Sequence, residues 1–270
     1  MGKNTVAIVT GGAVGYKTGG PSIGSEICFQ LSKEGNCVSV IDVNEKSGRE
    51  TAERIVKSGG NAIFIKCDVS DEKQVIAAVE KTAKSFGRID YLVNCAASYE
   101  GDMHRNVVEL DTLVWKRIID VNLGGYFLFA KHSIPKMLEN GRGGSIVNIS
   151  SVWGHSAGKN EAVYCTTKAA ILNLTKSIAI DFAPKIRCNS VSPGFVRIEN
   201  SEGKRKGVEL DKWIRSFSED YPLGRVATVS EIANVVSFLL SSKSSFITGT
   251  DILVDGGKTA TDAPRPFRRG

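Results

Sequence analysis

The chain has 270 residues and a formal net charge of +6, from 35 Lys and Arg against 29 Asp and Glu. Its densest basic stretches, at 204–206 and in the last six residues, are short, which is typical of solvated surface and argues against a nucleic-acid partner. No apolar run approaches the roughly 18 residues needed to cross a membrane. The length suits one large α/β domain or two small ones.

The cysteines and histidines argue against a metal site and for a reducing compartment. The six cysteines form no CxxC pair and mostly lie in apolar stretches, so we expect buried thiols in a cytoplasmic protein. His104, His132 and His155 are far apart and lack the spacing of metal ligands. Because Met1 leads almost directly into the first predicted strand, we expect no signal peptide.

Strands alternate with helices along most of the chain. Short apolar runs rich in β-branched residues predict seven buried strands, at 5–10, 37–42, 62–69, 89–96, 144–151, 186–192 and 251–257. Amphipathic stretches predict helices at 22–34, 45–58 and 71–86. This alternation requires crossover connections, so we predict an α/β fold with a doubly wound parallel sheet and helices on both faces.

The predicted elements show no linker, so residues 1–257 are expected to form a single domain. The segment 195–222 is charged and weakly periodic, and it follows a predicted strand. Because ligands bind beyond the carboxyl ends of parallel strands, we expect this segment to be a loop or lid over a substrate site. Residues 258–270 contain two prolines and are predicted to be an extended tail.

A glycine-rich loop, "TGGAVGYKTGGPSIG" at 10–24, joins the first predicted strand to the first predicted helix. In this position glycine lets the backbone approach a pyrophosphate, and the helix N-terminus attracts the anion. Asp42 ends the next strand, where a carboxylate can accept hydrogen bonds from both hydroxyls of a ribose and repel a 2′-phosphate. The loop therefore predicts NAD binding in preference to NADP, although Lys17 in the loop would suit a phosphate. The alternative is that Asp42 is an ordinary residue at a strand end.

Four further residues carry a catalytic pattern. In "YCTTK", Tyr164 and Lys168 are one helical turn apart. Ser151 ends a predicted strand thirteen residues before the tyrosine, and Asn122 lies in "DVNLGG". Any one of these signals is common by chance, but their order and spacing together are specific.

From about residue 4 to residue 257, these motifs resemble the short-chain dehydrogenase/reductase family in its single-domain branch. Thr10 and Gly11 match the start of the family motif TGxxxGxG, and "SIG" matches its end, with Ser22 in place of the middle glycine. About seven extra residues intervene, so 15–21 are expected to form an excursion from the loop.

The resemblance implies a Rossmann fold with NAD on the glycine loop. It implies that Asn94 braces a strand and that the backbone of Val196 meets the nicotinamide amide. Ile198 stands where the family often has threonine, which removes one hydroxyl contact. The implied cofactor-binding residues are Gly11, Gly12, Ser22, Ile23, Gly24, Asp42, Asp68, Val69, Asn94, Ala96, Tyr164, Lys168, Pro193, Gly194 and Val196.

The implied chemistry is hydride transfer between a secondary alcohol or ketone and nicotinamide. The oxygen must lose or gain a proton during this transfer, and a phenol with its ordinary pKa of about 10 is a weak base near neutral pH. We therefore expect Tyr164 to be the general acid/base, with Lys168 lowering its pKa. Ser151 would stabilise the substrate oxygen. By resemblance, Asn122 would hold a water that relays protons.

The expected substrate site comprises Ser98, Ser151, Trp153, His155 and Tyr164. The stretch 153–163 is polar, which favours a small polar alcohol such as a sugar, polyol or hydroxy acid. The alternative interpretation of the stretch is that these side chains face solvent. A 3-oxoacyl-thioester reductase or a hydroxysteroid-type dehydrogenase, whose pocket would be expected to show more apolar side chains, is the alternative function. A nucleotide-sensing regulator on the same scaffold is the non-enzyme alternative.

The resemblance also implies self-association. Members of the family are commonly homotetramers or homodimers built through helices near 107–135 and 161–183. We therefore expect a homotetramer or homodimer, with a small-molecule alcohol or ketone as its other partner.

Overall fold

One parallel sheet organises the protein. The computed structural model describes residues 5–15, 20–198 and 208–261. Within these residues, seven strands pair in the order β3-β2-β1-β4-β5-β6-β9. They are β1 (Val6–Thr10), β2 (Cys37–Asp42), β3 (Asn61–Lys66), β4 (Tyr91–Asn94), β5 (Gly144–Ile149), β6 (Ile186–Pro193) and β9 (Asp251–Val254). The short strands β7 (Val196–Arg197) and β8 (Ala227–Thr228) pair separately.

Helices cover both faces of the sheet. The helices are α1 (Ile23–Lys33), α2 (Glu45–Lys57), α3 (Glu72–Phe86), α4 (Thr112–Ile119), α5 (Gly125–Glu139), α6 (Ala162–Asp181), α7 (Val208–Ser218) and α8 (Val229–Leu240). Alternate residues of β1 enter different cores, because successive side chains of a strand point to opposite faces. Ile8 packs in the core that includes α3, α5 and α6, and Val9 in the core that includes α1, α2 and α8. The predicted doubly wound sheet is therefore confirmed.

The strands end where the backbone stops being compatible with the sheet. The last strand was expected to run to 257, but it ends at Val254, because Gly256 and Gly257 have φ values of +59° and +86°. The strand expected at 62–69 ends at Lys66, opposite Asp42 at the end of its partner β2.

Three predicted segments differ from expectation or lie partly outside the described residues. The helices expected near 107–135 are α4 and α5, which are joined by an unforeseen π-helical turn, Asp120–Gly124. The predicted lid, 195–222, contains β7 and α7. Residues 16–19 of the predicted excursion, 199–207 of the lid and 262–270 of the tail lie outside the described residues.

The topology creates a cleft at the carboxyl ends of the strands. β1 pairs with β2 on one side and with β4 on the other, so the winding direction reverses beside β1. Ligands bind at such a reversal in open α/β sheets. None of the described helices has the length and apolar character to cross a membrane.

We expect Gly24→Ala to destabilise the fold by about 2–3 kcal/mol. A Cβ atom at this position would lie 2.0 Å from the backbone oxygen of Gly11, so one of two rigid segments would have to move. Gly124→Ala is the matched control, because the nearest atom to its Cβ would be 3.7 Å away, and we expect a change within about 1 kcal/mol. Thermal or urea unfolding measures both, and equal stabilities would contradict the packing argument.

Candidate active site

The glycine loop is held against the start of α1 by a reciprocal capping arrangement. The Ser22 hydroxyl accepts from the Ser25 amide at 3.1 Å and donates to the Ala13 carbonyl at 2.7 Å. The Ser25 hydroxyl accepts from the Ser22 amide at 2.8 Å. The hydroxyl of Ser22 thus fastens the loop to α1, whose N-terminus has the partial positive charge that favours an anion.

The predicted glycines have different roles in this loop. Gly11 has φ +66°, and a Cβ there would lie 2.8 Å from the Cα atom of Ala96, which follows β4. Gly12 packs on Val40, and Gly24 packs on the Gly11 carbonyl. Gly11 is therefore the predicted glycine that lines a cavity, whereas Gly12 and Gly24 permit close packing beneath it.

Asp42 lies at the edge of a cavity of about 270 Å³. Its carboxylate accepts from the Ala13 amide at 3.1 Å and from the Asn44 amide at 2.9 Å. Burial raises the pKa of this carboxyl, and the two backbone bonds oppose the rise. Sequence-predicted residues that line the cavity are Gly11, Asp42, Asp68, Val69, Ala96 and Ser98.

Arg117 on α4 also lines this cavity and was not predicted from the sequence. Its guanidinium donates to the Asp68 carboxylate at 3.0 Å and to the Ser70 hydroxyl at 2.6 Å. Although burial alone would raise it, hydrogen bonds from Ser70 and Arg117 hold the pKa of Asp68 below its usual value. The sequence offered no signal for this contact, because the ion pair joins residues 49 positions apart.

A second cavity, of about 390 Å³, continues the first across the end of the sheet. Ala97 and Tyr99 line both cavities, so the two form one groove. We call this the cofactor groove. Predicted residues on its second half are Ile23, Ser151, Tyr164, Lys168, Pro193, Gly194 and Val196.

Lys168 is buried in this half of the groove. Its ammonium donates to the Ile149 carbonyl at 2.8 Å and lies 5.6 Å from the centre of the Tyr164 ring. Burial lowers the pKa of this amine to about 8. The Tyr126 hydroxyl donates to the same carbonyl at 3.0 Å, so two donors converge on Ile149.

Tyr164 projects between aromatic neighbours at the end of the groove. Its ring centre lies 5.8 Å from that of Tyr99 and 5.9 Å from that of Trp153. Burial raises the pKa of the Tyr164 phenol well above its usual value, and Tyr99 acts in the same direction. A hydrogen bond with the Ser151 side chain acts in the opposite direction.

Asn122 and Asn94 hold backbone in place and do not line these cavities. Asn122, in the π-helical turn, accepts from the Ser98 amide at 2.7 Å and donates to the Ser98 carbonyl at 3.3 Å. Asn94 on β4 donates to the Asn148 side chain on β5 at 2.9 Å, so it braces neighbouring strands. The proton-relay role expected for Asn122 stays a prediction.

A third cavity, of about 460 Å³, opens beside Tyr164. We call it the aromatic cleft. Phe195 and Phe217 stack at 4.5 Å in its wall, and the Phe195 amide donates to the Tyr221 hydroxyl at 2.6 Å. Its lining residues are Tyr99, His104, Ser151, Val152, Trp153, Glu161, Tyr164, Gly194, Phe195, Phe217, Tyr221 and Lys258.

The structure brings only part of the predicted substrate site to the aromatic cleft. Ser151, Trp153 and Tyr164 line it, and Ser98 lines the cofactor groove instead. His155 does not reach the cleft, because its imidazole pairs with Asp251 at 2.8 Å. Phe195, Phe217 and Tyr221 also line the cleft, and all three lie in the predicted lid, 195–222. The sequence thus indicated the segment that contributes to the cleft, although it did not single out these residues.

Comparison with known proteins identifies this arrangement. A family model described as enoyl-(acyl carrier protein) reductase matches residues 19–259. The chain belongs to the short-chain dehydrogenase/reductase family. It is an oxidoreductase, and enzymes of this family use a nicotinamide cofactor.

Relatives of this dehydrogenase cover nearly its whole length. An uncharacterised oxidoreductase of Bacillus subtilis, YxbG, is 38% identical, over 97% of this chain and 93% of the relative. The trans-4-hydroxycyclohexanecarboxylate dehydrogenase of Sinomonas cyclohexanicum is 36% identical, over 94% and 93%.

Solved structures show the same fold in related dehydrogenases. The ligand-free aldohexose dehydrogenase of Thermoplasma acidophilum is 34% identical with a TM-score of 0.84, over 99% of this chain and 98% of the other. Carveol dehydrogenase of Mycobacterium avium in complex with NAD is 26% identical with a TM-score of 0.85, over 95% and 98%.

We expect Asn122→Ala to lower the free energy of unfolding by about 2–4 kcal/mol. The substitution leaves both the amide and the carbonyl of Ser98 without their side-chain partner in a buried setting, and each such loss costs about 1–3 kcal/mol. Asn106→Ala, which removes exposed bonds to two loop amides, should cost less than about 1 kcal/mol. Urea unfolding compares the two, and similar losses would show that Asn122 has no special structural role.

Proposed function

We propose that the protein is an NAD-dependent dehydrogenase that oxidises the secondary hydroxyl of a small cyclic alcohol, and reduces the matching ketone in reverse. The observation that carries this proposal is that Ser151 and Tyr164 line both the cofactor groove and the aromatic cleft. A substrate oxygen in the cleft would therefore meet a hydroxyl and a phenol beside the nicotinamide half of the groove.

The groove has the features that a nicotinamide dinucleotide requires. Asp42 suits the two hydroxyls of the adenosine ribose, and the N-terminus of α1 suits the pyrophosphate. Lys168 suits the second ribose, and the backbone of Val196 suits the carboxamide. When bound, the nicotinamide supplies the hydride acceptor for alcohol oxidation.

Tyr164 would take the proton from the substrate hydroxyl. In the protein alone, burial keeps its pKa high, so proton removal requires a positive charge beside the phenol. The Lys168 ammonium can provide one, because its pKa of about 8 leaves it mostly charged at neutral pH. The positive ring of oxidised nicotinamide is a second source. Ser151 would donate to the substrate oxygen and hold it against the phenol.

The aromatic cleft supports a ring-shaped substrate. Flat side chains such as Trp153 and Phe195 form wide apolar walls, while a few polar groups remain to orient a ligand. The name of one relative, trans-4-hydroxycyclohexanecarboxylate dehydrogenase, describes a cyclic alcohol, and that of another, an aldohexose dehydrogenase, describes a sugar that closes to a ring in water. Thioester and steroid substrates remain the alternatives, and a panel of cyclic alcohols, steroids and 3-hydroxyacyl thioesters distinguishes them.

We further propose that the enzyme is a cytoplasmic homotetramer or homodimer. Support for self-association comes from apolar side chains exposed in and before the helices that the family uses for contacts. Val107, Val108, Leu113 and Phe127 are each more than half exposed. Burial of such side chains against another surface is favourable, because it removes apolar area from water.

We expect Tyr164→Phe to reduce turnover at least about a hundredfold while cofactor binding persists. The substitution removes the proton acceptor and little else, and general acid–base catalysis contributes a factor of about 100 to 10,000. NADH absorbance measures turnover, and NADH fluorescence titration measures binding. A phenylalanine variant that turns over alcohols at the wild-type rate would refute the role of the phenol, whereas a fully inactive wild type would favour the nucleotide-sensing alternative.

We expect Asp42→Ala to lower the ratio of kcat/KM for NAD to kcat/KM for NADP at least about tenfold. The change removes acceptors for the ribose hydroxyls and the charge that repels a 2′-phosphate. Loss of the hydrogen bonds from the Ala13 and Asn44 amides would weaken the binding of both NAD and NADP. The ratio therefore isolates the effect of Asp42 on discrimination between the two cofactors. Asp102→Ala, on the exposed surface, is the control. An unchanged ratio in Asp42→Ala would overturn the assignment.

A further inference from the structure

The aromatic cleft contains a pair of polar side chains whose position the fold does not explain. His104 and Glu161 both line the cleft, and the imidazole Nδ1 lies 2.7 Å from Glu161 Oε1. The other carboxylate oxygen, Oε2, is buried and has no hydrogen-bond partner among the described residues. A buried carboxylate with one partner costs free energy, so stability does not account for this residue.

Glu161 is also not needed to start its helix. It occupies the N-cap position of α6, yet its side chain makes no capping bond. N-cap residues that stabilise a helix accept hydrogen bonds from the first amides, as Ser22 does for α1. The Glu161 side chain instead reaches His104 in the cleft wall.

The pair presents a hydrogen-bond acceptor to the cleft. A carboxylate only accepts, so the imidazole Nδ1 must donate to it, and a neutral imidazole then has its lone pair on Nε2. His104 is 60% exposed and Glu161 only 12%, so the imidazole is the part that a ligand meets. A lone pair backed by a negative charge attracts a hydroxyl and repels a carboxylate.

We propose that His104 binds a second hydroxyl of the substrate, with Glu161 as the positioning residue that fixes the imidazole and its tautomer. The substrate class is then a cyclic diol or polyol rather than a simple cyclic alcohol or a hydroxy acid. This inference rests on the proposed function.

Lys258 also lines the cleft and could attract a substrate carboxylate, which would favour a hydroxy acid over a diol. Its surroundings argue against this role. Its ammonium lies 3.5 Å from the Asp220 carboxylate and 5.1 Å from the centre of the Tyr221 ring. The positive charge is therefore compensated by protein groups, which weakens its attraction for a substrate carboxylate.

The test compares trans-cyclohexane-1,4-diol with cyclohexanol and with trans-4-hydroxycyclohexanecarboxylate. In the wild type, we expect kcat/KM for the diol to exceed that for each of the other two about tenfold, which is the contribution of one hydrogen bond to a polarised acceptor. The diol-to-cyclohexanol ratio should fall to about two, the statistical factor for the two equivalent hydroxyls of the diol, in His104→Ala and in Glu161→Ala. It should recover to within about threefold of the wild type in Glu161→Gln, whose amide oxygen can still accept from Nδ1. Lys159→Ala, an exposed neighbour, should leave the ratio unchanged.

A binding measurement separates this inference from the proposed function. Calorimetry gives the dissociation constants of the diol and cyclohexanol for the NAD complex of Tyr164→Phe, with and without Glu161→Ala. If the diol binds more tightly than cyclohexanol and Glu161→Ala abolishes that difference, the role of the His104–Glu161 pair is supported. This holds even if the wild type turns over no alcohol, and such inactivity would refute the proposed function alone. Three outcomes would overturn the inference and leave the dehydrogenase proposal standing. They are turnover of all three alcohols with no preference for the diol, a preference for the carboxylate, and a diol preference that persists in both His104→Ala and Glu161→Ala.

Discussion

Gly11 and Gly24 bring three backbone segments into direct contact at the point where the winding of the sheet reverses. The end of β1 lies against the Ala96 backbone after β4, and the start of α1 lies against the Gly11 carbonyl. No side chain fits between these segments. Their closeness places the helix N-terminus, Asp42 and the end of β4 around one groove, so the cofactor site depends on this contact.

Buried polar contacts then fix the catalytic side of the groove. Lys168 is tied to the Ile149 carbonyl at the end of β5, and Asn122 holds the backbone of Ser98 after β4. Asn148 joins β5 to both Asn94 and, by a 2.9 Å bond, to Thr175 on α6. Buried polar groups with satisfied partners tolerate little displacement, so these bonds orient α6 and its functional side chains relative to the sheet.

Burial shifts the pKa values of Lys168 and Tyr164, which lie one turn apart on α6, in opposite directions. It makes the Lys168 amine easier to deprotonate and the Tyr164 phenol harder to deprotonate, because a low-polarity setting disfavours either charge. The protein alone therefore holds the phenol as an acid. In the proposed mechanism, an oxidised cofactor shifts that balance towards the phenolate, which couples proton removal to the presence of the hydride acceptor.

Local patterns in the chain were enough to predict the layered fold, the glycine loop, Asp42 and the Tyr164–Lys168 pair, because each depends on periodicity or on short fixed spacing. They could not predict Arg117 beside Asp68, or the acceptor pair of His104 with Glu161, since these join distant segments through loop paths that no local rule specifies. The polar stretch after Ser151 likewise suggested a polar wall, but most of its polar side chains are exposed, and aromatic rings from the segment after β6 supply part of the cleft lining instead. Strand ends and helix turns are set by short-range backbone preferences, whereas side chains meet across a cleft only after the whole sheet has been assembled.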